Sequence, residues 1–444
     1  MSDELKYRKK LKNDIFLLAG ILLVALLALS AIKRYRKTGT VCIVWLEGKE
    51  YARLSLSEDS LTEVAGCKIR VSNGSVFMEE ADCKGLDCVH MKPVSEEGQV
   101  IACLPNRLVL EIKGNNECHT VTYLDVFDTV TTITAYTVDA NEFAALSDRI
   151  HSELVRYHRL FDIYHEYSEL YNACSLNRET GDRLNGIKVR EGSRQIPAEL
   201  YNLLKKSVEF YNLTDGRVNI AMGPVLSKWH EAREYSLENP DKAYVPDYAE
   251  LTALREHCGI ENLVLKQDNY ILVSDIEASF DLGAVAKGYA TEMVAQMLEK
   301  DGYTGILLNV GGNVRAVGAP PKGAWNIAIE SSESSIAGTV RVTHEAVVTS
   351  GDYQRFYTVN GKKYCHIIDS ETLYPAENCS SATVICDDSG LADALSTALF
   401  IMKPDEAIAF AETLEDVEAL IVRKDGTVLK TSGFASFEIT EDKP

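Results

Sequence analysis

The stretch Asp281-Leu-Gly-Ala-Val-Ala-Lys-Gly-Tyr289 constrains this chain more than any other. The run from Ala278 to Leu282 predicts a strand, Gly283 a turn, and the residues after it a helix reaching about Leu298. Gly283, Ala284, Ala286 and Gly288 carry little or no side chain, so a ligand can approach the backbone closely. The opening turn of a helix leaves N–H groups without intrahelical acceptors, which suits an anion, and Lys287 adds a mobile positive charge. The same small residues also serve plain strand-to-helix packing, and neither a full dinucleotide fingerprint nor a P-loop is present.

The formal net charge of −20 argues against a nucleic-acid partner, which requires a basic patch or stripe. An anionic ligand therefore needs local cations or a metal. With 444 residues, 46% of them hydrophobic, the chain has enough apolar side chains for large cores. At roughly 150 residues per domain it makes two or three domains.

Ile15 to Ile32 is an almost unbroken apolar run, close to the ~20 residues a bilayer-spanning helix needs. Lys6, Arg8, Lys9, Lys10 and Lys12 precede it and Lys33, Arg34, Arg36 and Lys37 come after it, a slight bias towards a cytoplasmic N-terminus. Basic residues come directly after Leu29-Ser-Ala-Ile32, which leaves no clear cleavage site and favours an uncleaved anchor. The expected order is a cytoplasmic segment over 1–14, a transmembrane anchor over 15–32 and a linker over 33–40. Everything beyond is expected outside the cell, as in a single-pass cell-membrane protein.

Six of the 11 cysteines, Cys42, Cys67, Cys83, Cys88, Cys103 and Cys118, crowd the chain before residue 120. Short β segments broken by Gly and Asn predict a small β-rich module over 41–114: Val41–Leu46, Lys68–Val71, Ser75–Glu79, Val100–Cys103 and Leu108–Ile112. Within it, Cys83, Cys88 and Cys103 with His90 suit a zinc site in type, but their irregular spacing is poor for one and favours a disulfide or buried thiols instead. The polar Asn115-Asn-Glu-Cys-His119 predicts a linker over 115–121, and a second domain comes next over 122–436, with a tail over 437–444.

In the second domain Tyr123 to Tyr136 predicts a strand. Phe143, Leu146, Ile150, Leu154 and Leu160 have the spacing of an amphipathic helix over Glu142–Phe161. Further helices are expected at Ala198–Asn212 and Leu391–Met402, and strands at Gly305–Asn309, Trp325–Glu330 and Ser381–Ile385. Val310-Gly-Gly-Asn313 reads as a tight turn and Asn360-Gly361 as a hairpin.

Asp393, Ser396 and Thr397 stand at i, i+3 and i+4, so a helix puts their oxygens on one face. A carboxylate with hydroxyls is a hard-oxygen set apt for Mg²⁺; helix capping by Asp393, with the hydroxyls turned back on the backbone, is the plainer account. His366, with Asp369 nearby, suits a general base or a group orienting a phosphate, though an isolated histidine also serves structure alone.

Taken in order, Asp281–Tyr289, Asn309-Val-Gly-Gly-Asn313, Val348-Thr-Ser-Gly-Asp-Tyr353, His366-Ile-Ile-Asp369 and Ala392-Asp-Ala-Leu-Ser-Thr397 resemble the ApbE-type FAD:protein FMN transferases over about Val121 to Gly433. The Cys103-Leu-Pro-Asn106 stretch, with a strand after it, resembles a NusG II-like accessory domain. The resemblance implies an α+β, T-fold-like ApbE domain behind the anchor and the β-rich module. It also implies an extracytoplasmic enzyme that splits FAD with Mg²⁺, joins FMN by a phosphoester bond to a Thr or Ser of an acceptor protein, and releases AMP. The acceptor would carry a Ser/Thr-Gly-Ala-Thr-like stretch. Carried over by position, FAD would be held by Phe127, Tyr164, Arg217, Val218, Asn219, Asp281, Lys287 and Ile368, and Mg²⁺ by the carbonyl of Ala284 with Asp393, Thr397 and Ser396. His366 would take the proton of the acceptor hydroxyl and Asp393 would act through the metal.

Three places depart from the family's pattern. Phe127-Asp128-Thr129 stands for Met-Gly-Thr, Asn219 for an aspartate, and Asp369-Ser-Glu-Thr-Leu-Tyr-Pro375 for Asp-Pro-x-Thr-Gly-x-Pro. A flavin-binding or FAD-hydrolysing protein on the same fold, giving FMN and AMP with water as acceptor, is the second reading.

Overall fold

Successive side chains of a strand point to opposite faces, so strands buried at consecutive positions, as Asn313–Val317 and Cys379–Cys386 are, require a sheet covered on both faces. The computed structural model, which describes residues 39–114, 117–137, 140–184, 192–332 and 335–439, contains such a sheet. The chain divides into two compact units; the first ends at Glu117 and also takes in Thr137, and the second starts at Cys118.

The second unit is built on eight strands: β1 (Glu117–Val126), β2 (Thr129–Thr137), β3 (Ile306–Val310), β4 (Asn313–Val317), β5 (Ala346–Gly351), β6 (Cys379–Cys386), β7 (Glu418–Arg423) and β8 (Val428–Lys430). Each lies beside the next in chain order, and the pairs from β2 to β8 are antiparallel. Ile306, Leu308, Val310, Val348, Val384 and Ile421 face one core, while Val347, Ile385, Leu420 and Val422 face another.

Four helices position the site: α1 (Ala140–Phe161), α3 (Ala286–Lys300) and α4 (Ser389–Ile401) fill the first core, while α2 (Gly223–Glu238) packs in a separate cluster with Tyr357 and Ile368. α4 is apolar almost all round and is buried on β5 and β6, with α3 beside it and α1 against α3. As the spacing predicts, α1 buries Phe143, Leu146, Ile150, Leu154 and Leu160. The opposite face is covered by a hairpin, Trp325–Ser332 with Ser335–Val342, whose Trp325, Ile327 and Ile329 pack over Val347 and Ile385.

Three local expectations are corrected. No strand forms at Ala278–Leu282; the segment is held by Asn177, whose side-chain amide donates to the Phe280 carbonyl and accepts from its N–H, and by a bond from Asp281 N to the Ile220 carbonyl. Tyr123–Tyr136 is not one strand but the β1–β2 hairpin. Its two-residue loop, Phe127-Asp128, has both φ values at 51°, the twist of a type I′ turn. Glu117–His119, expected in a linker, already belongs to β1.

In the first unit, a four-stranded sheet runs in the order Lys49–Ser55, Val41–Leu46, Leu108–Lys113, Val100–Cys103, with a three-stranded one of Ser60–Val64, Cys67–Ser72 and Ser75–Ala81. Ile69, Met78, Ile101, Leu110 and Ile112 are buried within it. Lys49–Ser55 and Ser60–Val64 escape sequence reading because they are largely exposed and carry polar residues at alternate positions.

The membrane expectation is corrected as well. Ile15–Ile32 lies outside the described residues, and among the described residues no helix is long and apolar enough to cross a membrane. The single-pass anchor, and the cell-membrane location built on it, therefore have no support in the structure.

Candidate active site

Sequence-distant polar residues meet in one cleft of about 850 Å³ in the second unit. The start of α3 supplies Gly283, Ala284 and Lys287, α4 supplies Asp393 and Thr397, and β5 supplies Thr349 and Ser350. Arg217, Val218 and Asn219 lie at one wall with Tyr164 and the α2 residues His230 and Arg233; Arg355, His366 and Ile368 close another.

Asp393 sits in the second turn of α4 and is 5% exposed. It does not cap its own helix, since Asp388 does that by accepting from Leu391 N at 3.0 Å. Asp393 instead crosses to α3, where its Oδ2 accepts from Gly288 N at 2.8 Å. The helix N–H expected to face an anionic ligand is thus taken by a carboxylate of the protein. Burial raises the proton affinity of Asp393, opposed first by the Lys287 ammonium and then by the Gly288 hydrogen bond. Gly288 permits the approach: a Cβ there would lie 2.4 Å from Asp393 Cβ and 2.5 Å from the Ser389 carbonyl.

The hydroxyls divide. Thr397 lines the cleft, whereas Ser396 is fully buried, does not line it, and donates to the Asp393 carbonyl at 3.0 Å. Ser350 on β5 bridges them, 2.9 Å from Ser396 Oγ and 3.4 Å from Thr397 Oγ1, and sequence reading did not single it out as a ligand. Asp393, Thr397 and Ser350 line the cleft with Ala284 and offer it a buried carboxylate, two hydroxyls and a backbone carbonyl, all hard-oxygen donors. That donor chemistry fits Mg²⁺.

His366 opens onto the cleft, and its Nδ1 lies 3.1 Å from the Arg355 carbonyl. A carbonyl only accepts, so Nδ1 carries the hydrogen and Nε2 keeps its lone pair. The ring is exposed to solvent, yet the protein packed around it disfavours the charged form and, with Arg355 and Lys287 nearby, pushes the imidazole down to about 4, so it is neutral at pH 7. Asp369 does not orient it: its carboxylate accepts from Glu371 N and Thr372 Oγ1 in its own turn.

The expected flavin residues are mostly brought together. Tyr164 is held by Asp162, which accepts from Tyr164 N at 2.7 Å, and its ring lies 5.2 Å from His230. Arg217 donates to the Thr214 carbonyl at 3.2 Å. Asn219 reaches the cleft edge, but its side chain is engaged at both ends, with Cys258 O and Ala221 N. Asp281 accepts from Gly283 N at 2.8 Å, and burial raises its proton affinity. Phe127 is the exception. Its ring packs edge-on against His158 and does not line the cleft, which Asp128 and Thr129 do.

His230 and Arg233 were missed because α2 itself was missed; its signal was Pro224 at the helix start. At the departures from the family pattern, Asp128 and Leu373 stand where the pattern has glycine, and both have left-handed φ values, 51° and 63°.

The ApbE family model matches residues 127–421 and that of NusG domain II residues 16–116. A FAD:protein FMN transferase of Haemophilus influenzae is 30% identical over 258 residues, 56% of this chain and 73% of that protein. One of Escherichia coli is 26% identical over 315 residues, 68% of this chain and 85% of that protein. The crystal structure of the ApbE protein from Thermotoga maritima superposes with a TM-score of 0.62 at 25% identity, over 73% of this chain and all of that one. The flavin transferase ApbE from Vibrio cholerae gives 0.58 at 25% identity over 72% of this chain. Because the family match runs from the β1–β2 turn to β7 and so takes in the whole cleft, the chain belongs to the ApbE family.

Proposed function

We propose that this chain is a FAD:protein FMN transferase that moves FMN from FAD to a Thr or Ser hydroxyl of an acceptor protein and releases AMP. The observation that carries the reading is the meeting in one cleft of a neutral His366 with the Lys287, Asp393 and Thr397 set. Support comes from relatives that bear this name and align over 56% and 68% of this chain.

FAD has room in a cleft of about 850 Å³, whose Arg217, Arg233, Lys287 and Arg355 answer the charge of a pyrophosphate within an acidic chain. Mg²⁺ would be held by Asp393, Thr397, Ser350 and the Ala284 carbonyl, and when bound it supplies charge neutralisation at the phosphorus and on departing AMP. His366 Nε2 takes the acceptor proton as the hydroxyl oxygen forms its bond to the FMN phosphorus. The bond from that phosphorus to the bridging oxygen breaks, and the oxygen leaves with AMP. Lys287 steadies the phosphates from the opening of α3, and Tyr164 offers its ring face to flavin or adenine.

The test is to incubate the protein with FAD, Mg²⁺ and a peptide containing Ser/Thr-Gly-Ala-Thr, then weigh the peptide. A gain of one FMN less water, with AMP released in equal amount, is expected. FMN and AMP appearing with no labelled peptide for any acceptor tried would instead make the protein an FAD hydrolase.

A further inference from the structure

Three cysteines of the first unit converge on a point far along the sequence from the transferase motifs. Cys83 comes after the strand Ser75–Ala81, Cys88 lies in the short helix Asp87–His90, and Cys103 ends the strand Val100–Cys103. Their three sulfurs all lie within 4.8 Å of one another. His90, the fourth ligand the sequence offered, is exposed and not among them, whereas buried Cys67 adjoins Cys103. Asn106 fixes Cys67, with Nδ2 3.2 Å from its sulfur, 2.7 Å from Asp82 Oδ1 and 2.9 Å from the Ala65 carbonyl.

The short loop between Cys83 and Cys88 turns at Leu86, whose φ is a left-handed 53°, and the two sulfurs come together behind it. Three thiolates this close repel one another unless a cation lies among them, and a bound cation takes up that charge. Tetrahedral metal–sulfur bonds of about 2.3 Å put sulfurs about 3.8 Å apart, within the spacing seen. A disulfide would join two of the sulfurs and strand the third.

We propose that Cys83, Cys88 and Cys103 form a thiolate site for one divalent d-block ion of the Zn²⁺ type, with the fourth position beside Cys67. Soft thiolates select such an ion over Mg²⁺, so this site and the hard-oxygen set at Asp393 take different metals. Zinc binding here is independent of the transferase reading.

The full chain, reduced and stripped of metal, is titrated with Co²⁺ and then Zn²⁺. One Co²⁺ per chain with strong thiolate-to-cobalt charge-transfer absorption, displaced by Zn²⁺, is expected. Cys83→Ser and Cys103→Ser should each weaken binding at least tenfold, whereas Cys379→Ser, a buried thiol in the other unit, should not. Because those variants can misfold, the wild-type protein is also alkylated with and without Zn²⁺ and mapped by mass. Zn²⁺ should protect Cys83, Cys88 and Cys103. Absence of the charge-transfer band in the folded reduced protein, or alkylation of the three thiols unchanged by Zn²⁺, would overturn the proposal.

Discussion

Gly288 N and Asp393 Oδ2, 105 residues apart in sequence, meet at 2.8 Å where the first turn of α3 touches the second turn of α4. The bond fixes the direction of the carboxylate, and the missing Cβ lets the two helices come that close. Gly288→Ala should therefore act on both fold and chemistry. Overpacking against the Ser389 backbone should cost about 1–3 kcal/mol, and turnover should fall with it. Thermal unfolding and FMN-transfer rates measured on the same sample check this; an unchanged melting temperature would show that the helices part without cost.

Asp393→Asn keeps the volume and removes the anionic ligand proposed for Mg²⁺. Transfer should slow on the order of 10²-fold or more, since each ~1.4 kcal/mol of lost transition-state stabilisation is tenfold. Raising Mg²⁺ should not restore the rate. A variant that matches the parental rate at parental Mg²⁺ would remove Asp393 from the metal set.

The same residue predicts a pH effect on stability. Folding raises the proton affinity of Asp393, and of Asp281, so the folded state holds more protons than the unfolded one and loses stability as pH rises above the ordinary carboxylate range. In EDTA the melting temperature should fall with pH, and Asp393→Asn should flatten that fall. Mg²⁺ should protect the wild type more than the variant. Melting curves at several pH values, with and without Mg²⁺, read all three effects.

His366→Ala should retain FAD binding while transfer drops ~10²–10⁴-fold. With its imidazole near 4, the acid limb of kcat/KM should lie well below the 6.5 of an ordinary histidine. A limb at 6.5 that vanishes in the variant would mean that His366 titrates as an exposed group.

Asp128, exposed and left-handed at the β1–β2 turn, pays a conformational cost that glycine does not. Asp128→Gly should stabilise the protein by up to about 1 kcal/mol, visible as a higher denaturation midpoint. The analogous Leu373→Gly should destabilise, because Leu373 is 2% exposed and lost packing outweighs the relieved strain.

Much of this site was legible because its residues occupy short motifs with local geometry. The i, i+3, i+4 spacing correctly set Asp393 and Thr397 on one helix, and Asn360-Gly361 does form its hairpin. What was not legible depends on partners distant in sequence. Ala278–Leu282 has the composition of a strand, but Asn177 and Ile220 supply its hydrogen bonds. Spacing alone could not tell that Ser396 is buried behind Ser350 with its hydroxyl on the Asp393 carbonyl, because one residue of rotation separates it from Thr397. Arg233 and Ser350 acquire meaning only once α2 and β5 are placed.

Adjacent strands β2 and β3 pair residue for residue, Ala135 with Ile306 and Thr131 with Val310, although the chain between them carries Tyr164, Arg217 and Arg233. The sheet's own order is otherwise local, so its assembly must wait on one long closure across that excursion. The excursion furnishes one wall of the cleft, while Asp393, Thr397 and His366 lie after it in the chain. Sequence drift, insertion or exchange in the part of the excursion before Ala278 can therefore retune what the cleft admits, whereas Ala284, Lys287 and Gly288 at its end belong with the reacting groups.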